Sequence, residues 1–76
     1  MISEAEAVSA ATDALPKKYE HPRLVKSRRK ENLEEFPGRS GWEIWFSLDD
    51  AEYGPYRRPV EVDGETGEAR LVKILL

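Results

Sequence analysis

The chain contains no cysteine, one histidine and one methionine among its 76 residues. Without cysteine there is neither a disulfide framework nor a thiolate metal site. A lone His21 means that any histidine-based metal centre would need carboxylates to complete it, and no His-x-x-x-His or comparable ligand spacing is present. No stretch approaches the roughly 18 consecutive apolar residues of a membrane helix. Positive charge is not in excess either: 12 Lys and Arg stand against 15 Asp and Glu, a formal charge of −3. That balance suits solubility and supplies no global field for nucleic acid. The five glycines show no Gly-x-Gly-x-x-Gly or P-loop spacing, so no phosphate cradle is expected.

What remains is enough for one small domain spanning 1–76. A chain of this size buries only about 60% of the surface it exposes unfolded, so its core must be compact. The opening "MISEAEAVSAATDALPKK" has neither the basic start nor the apolar run of a signal peptide. A cytoplasmic location is therefore expected.

Ser3 followed by Glu6 has the spacing of a helix-capping box, with Ile2 and Ala7 at the positions of a hydrophobic staple. Ala5, Val8, Ala11 or Thr12, and Leu15 recur at helical steps, and Pro16 should stop the helix. "PKKYEHP" reads as a connector. "RLVKSRRKENLEEF" reads as a long, irregular strand whose charges keep an edge unpaired, with a helix over part of 28–35 as the rival reading. "PGRSG" is a turn.

In "WEIWFSLDD", Trp42, Ile44, Phe46 and Leu48 alternate with Glu43, Trp45 and Ser47, the period of a strand with one apolar face. "DDAEYGPYRR" reads as a loop. Val60 and Val62 then lead through "DGETG" to a last strand. In that turn Asp63 is suited to accept bonds from backbone amides, and Gly67 to take a positive φ. These elements predict an α+β fold: one N-terminal helix on a curved antiparallel sheet of three to four strands.

The capped "ISEAEAV", the strand "WEIWFSL" and the terminal "VEVDGETGEARLV" resemble a PepSY-type domain, through Ile2, Ser3, Ala7, Asp63, Thr66, Gly67 and Glu68. With Gly41-Trp42 added, the chain is also similar to a small bacterial immunity-protein family whose members end in a "VD-x-x-TGE" turn. The resemblance spans about half of the chain and implies an inhibitory or immunity-like binding role, with no catalytic residues and no cofactor to carry over.

Other constellations carry little chemistry. Ser27, His21 and Asp49 have no spacing that supports a catalytic triad. Asp49, Asp50 and Glu52 form a solvated acidic turn, or a weak calcium site. Arg23, Lys26, Arg28, Arg29 and Lys30 form a basic run cut short by "ENLEE", which suits an edge strand better than a nucleic-acid surface.

The sharpest feature is Trp45, the one aromatic on the polar alternation of its strand. It points away from the helix, joined there by either Leu71 and Leu75 or Val72 and Ile74. An uncovered patch of this kind marks an interface, for which Trp and Tyr are favoured anchors. The expected contact residues are Trp45, Tyr53, Tyr56, Arg57 and Arg58 on the helix-free face and the 49–58 loop. The expected function is a non-enzymatic protein-binding module with an unknown protein partner, and with no cofactor, metal, nucleic acid or membrane. The alternative is a homo-oligomer pairing through its open sheet face.

Overall fold

The computed structural model describes residues 1–50, 52 and 54–73. One helix, α1 (Glu4–Ala14), precedes four strands, β1 (Glu20–Lys30), β2 (Gly41–Asp50), β3 (Gly54–Asp63) and β4 (Ala69–Leu71). The strands form one antiparallel sheet in chain order, with β1 and β4 at its edges. The fold is α+β, as the sequence predicts.

Both halves of the capping box are made: the Glu6 amide donates to Ser3 Oγ and the Ser3 amide to Glu6 Oε1, each at 3.1 Å. Leu15 takes extended geometry ahead of Pro16, which ends the helix. The buried stripe is Ala7, Ala11 and Leu15, whereas the expected Ala5 and Thr12 are exposed. Alanines at 5, 7, 10, 11 and 14 leave the pattern without a clear phase, so packing chose the face. With only methyl groups at Ala7 and Ala11, α1 lies close against Ile44, Phe46, Leu48, Val60 and Val62.

Trp42, Ile44, Phe46 and Leu48 face the helix as expected, and the register sets Val62, Val60, Arg58 and Tyr56 opposite them. Residues 54–58 therefore belong to β3 and not to a loop. Two prolines disguise this strand. The Val72 amide donates to the Pro59 carbonyl, so Pro59, and by alternation Pro55, turn their nitrogens toward the β4 side. β4 is paired only to Leu71, so neither nitrogen faces a paired residue of β4.

Gly41 is required by close approach: a Cβ there would lie 2.0 Å from the Val62 carbonyl oxygen. At the β3–β4 turn, Gly67 has φ +76° and donates its amide to the Asp63 carbonyl. The Asp63 carboxylate accepts from the Glu65 amide and the Thr66 hydroxyl and pairs with Arg39 at 3.2 Å. The N-terminal residues meet this turn, where the Ile2 amide donates to the Gly64 carbonyl.

β1 starts at Glu20, inside the segment expected to be a connector, and runs only to Lys30. Residues 31–40 are neither strand nor helix. They fold back as a strap over the helix-free face, burying Leu33 and Phe36. The Arg70 guanidinium lies 4.6 Å from the Phe36 ring centre and donates to the Glu35 carbonyl. Beneath the strap, the fully buried Glu61 accepts from the backbone amides of Glu34 and Glu35 and pairs with Lys30 at 3.0 Å. The sheet is thus covered on one face by α1 and on the other, at the β3–β4 end, by the strap.

No helix among the described residues is long and apolar enough to cross a membrane.

Candidate functional site

The part of the helix-free face that the strap leaves uncovered is centred on Trp45. β1 pairs Leu24 with Phe46 and Lys26 with Trp45, so Val25 is an extra residue in a β-bulge. Bulges re-aim side chains, and this one brings both Val25 and Lys26 to the Trp45 side. From the other flank, Arg57 sits opposite Ser47, one diagonal step from Trp45 and within reach of a long side chain. Val25, Lys26, Trp45 and Arg57 line an open cavity of about 180 Å³. Val25 and its neighbour Leu24 are among the few exposed large apolar side chains.

The indole is held on both its face and its edge. The Lys26 ammonium lies 5.5 Å from the ring centre, close enough for a cation–π attraction. Trp45 Nε1 donates to Glu43 Oε1 at 2.8 Å. Glu43 also receives Arg28 Nε at 2.7 Å and Lys30 Nζ at 3.1 Å, and is itself 5% exposed. Burial pushes its carboxyl upward, but the bonds from Arg28, Trp45 and Lys30 prevail and hold it at about 2. Lys30 shows the mirror effect: burial pulls it down, while Glu61 and Glu43 hold it above its ordinary value. The carboxylate is therefore a fixed post for the indole and is fully used by its three donors.

The expected contact residues do not form one surface. Trp45 and Arg57 are brought together, with Trp45 half-buried and Arg57 exposed. Tyr56 and Arg58 fall on the helix side, because residues one apart on β3 point to opposite faces. Tyr56 packs on the core, its hydroxyl bonded to that of Tyr19 and its ring edge-on at 5.9 Å. Burial, then the Tyr19 contact, raises its pKa. Arg58 Nη2 donates to the Val72 carbonyl, while its Nε is buried without a partner. Tyr53, and the Ile74 and Leu75 of the expected apolar patch, lie outside the described residues.

Val25 and Lys26 are the site residues that sequence reasoning missed. They fall in a run that reads as solvated edge, and nothing in its residue types marks the bulge that turns them inward. His21 is exposed in β1 with φ +54°, and Asp49 and Asp50 end strand β2 instead of forming a turn. Among the described residues, no group of three or more His, Cys, Asp or Glu side chains is placed to hold a metal ion.

Comparison of the chain with protein-family models, curated proteins and solved structures found no match. The site's chemistry therefore has to be read from its own geometry. An aromatic floor flanked by two cations and an aliphatic edge is equipped for recognition: it can stack an apolar group and pair an anionic one.

Proposed function

We propose that this chain is a small, non-enzymatic, cytoplasmic protein-binding module that docks its partner on the helix-free face around Trp45. The inhibitory or immunity-like role implied by its resemblance to PepSY-type and immunity-protein domains belongs to this reading. The observation that carries it is the half-buried Trp45, held in one orientation at the floor of an open notch and beside exposed Val25. An aromatic fixed before binding loses little entropy on contact, which is what makes such residues strong anchors.

The test is capture of a partner by the immobilised chain, followed by binding of that purified partner to wild type, Trp45→Ala and Arg57→Glu. Circular dichroism establishes that each variant is folded. Truncating an aromatic anchor should weaken binding by about tenfold or more. A partner that binds both variants as tightly as wild type would exclude this face.

A second reading, self-association through the same face, is favoured by the eleven-residue edge strand β1 and its exposed Val25. It requires a mass that rises with concentration and falls to the monomer value in Trp45→Ala.

A further inference from the structure

We infer that the partner presents an acidic segment, seating a carboxylate between Lys26 and Arg57 with a neighbouring apolar side chain against Trp45. This rests on the reading of the Trp45 face as a docking surface and adds the chemistry of what docks there. The ground is the local charge balance. The chain as a whole carries −3, yet Lys26 and Arg57 at the notch make no ion pair with any described residue.

The buried carboxylates beside the notch are already engaged and do not neutralise them. Glu43 is buried and already saturated by Arg28, Lys30 and Trp45. Glu61 is fully buried beneath the strap and engaged by Lys30 and two backbone amides. Asp49 shares the face by alternation and stands one diagonal step from Arg57, yet makes no ion pair with it, and it lies four residues along β2 from Trp45, about 13 Å at the strand rise. Two cations about an aromatic floor, with the adjoining Glu43 and Glu61 locked away, present a positive opening in an otherwise acidic molecule.

The dimensions favour a short side-chain contact. A cavity of about 180 Å³ lined by four residues suits a carboxylate and one neighbouring apolar side chain and is small for a polyanion. Nucleic acid also prefers several stacked aromatics along a basic track, and the only tryptophan in the notch is Trp45. Arg57 can meet a carboxylate with its planar fork, while Lys26 contributes a point charge already held over the ring.

The probe is a short blocked peptide of alternating glutamate and leucine, titrated to millimolar concentration into the 15N-labelled full chain. Parallel titrations use a lysine–leucine peptide of equal length and a thymine octanucleotide. The acidic peptide should give saturable shifts at the Trp45 indole N–H and at the Val25, Lys26 and Arg57 amides. These should weaken severalfold as the Debye length contracts from about 30 Å to about 8 Å with added salt. Lys26→Glu with Arg57→Glu should abolish them and leave the rest of the spectrum in place. Equal response to the basic peptide, response to the oligonucleotide alone, or no response to any probe overturns the inference. Binding of the captured partner separates the two levels. Loss in Trp45→Ala but retention in Lys26→Glu/Arg57→Glu defeats the acidic segment and keeps the docking face, whereas retention in all of them defeats both.

Discussion

Acid should strip this fold of a defined share of its stability through Glu43. Its carboxyl is lowered from an ordinary 4.5 to about 2 by Arg28, Trp45 and Lys30, which outweigh the upward push of burial. Because the folded value lies below the unfolded one, the contribution is fully present above about 4.5 and is lost as pH falls through about 2. The difference corresponds to about 3 kcal/mol, reduced to about 2–3 because Arg28 is more than half exposed and screened by solvent. That is a large share for a 76-residue chain, whose total stability is of the order of 4–11 kcal/mol. Urea unfolding, followed by tryptophan fluorescence at several pH values, measures it. Glu43→Gln keeps the shape but removes the charge, so it should be about 2–3 kcal/mol less stable than wild type at neutral pH and should converge on wild type near pH 2. Asp63 is also lowered, chiefly by the Glu65 amide and also by Arg39 and Thr66 against the opposing effect of burial. Its loss runs in the same direction and remains in the Glu43→Gln background, so the difference between the two proteins isolates Glu43. A constant gap between wild type and Glu43→Gln at every pH would refute the network described here.

Other perturbations have equally definite outcomes. Glu61→Gln leaves Lys30 without its buried partner and sets an amide NH₂ against a backbone donor, so calorimetry should register a loss of about 3–5 kcal/mol; the exposed Glu65→Gln, by contrast, should stay within about 0.5 kcal/mol. Gly41→Ala forces a Cβ into the Val62 carbonyl and the Gly64 amide, both of them backbone atoms, and should cost about 3 kcal/mol or prevent folding, as read from denaturant midpoints. Phe36→Ala removes the ring that anchors the strap, and should cost about 3 kcal/mol and speed hydrogen exchange at the Glu34 and Glu35 amides. Ser3→Ala deletes one half of the capping box and should cost about 1 kcal/mol in thermal unfolding.

The features legible in the sequence are those decided by near neighbours. Ser3, Glu6 and Pro16 delimit α1 through local hydrogen bonding and sterics. The period-2 run from Trp42 to Leu48 states which face meets the helix. Asp63 and Gly67 define a turn that closes on itself. What escaped depends on distant partners. Leu33 and Phe36 sit in a segment of helix formers, and the buried Glu61, some 27 residues away, holds the Glu34 and Glu35 amides in a strap. Pro55 and Pro59 read as breakers, yet both point their nitrogens past the short β4. Mistaking that strand for a loop hid the parity that separates Tyr56 and Arg58 from Trp45 and Arg57. The bulge at Val25 is likewise visible only once β1 is paired with β2. Two of the five expected contact residues, Tyr56 and Arg58, therefore stand one step of alternation away from the Trp45 face.

We propose that a partner docks at the Trp45 notch. Amide hydrogen exchange on the chain with and without its captured partner tests it most directly. Protection on binding should concentrate at Val25, Lys26, Trp45 to Ser47 and Arg57, with α1 unchanged. Protection confined to α1, or to the strap and the β3–β4 turn, would contradict the claim and move the binding surface elsewhere on the molecule.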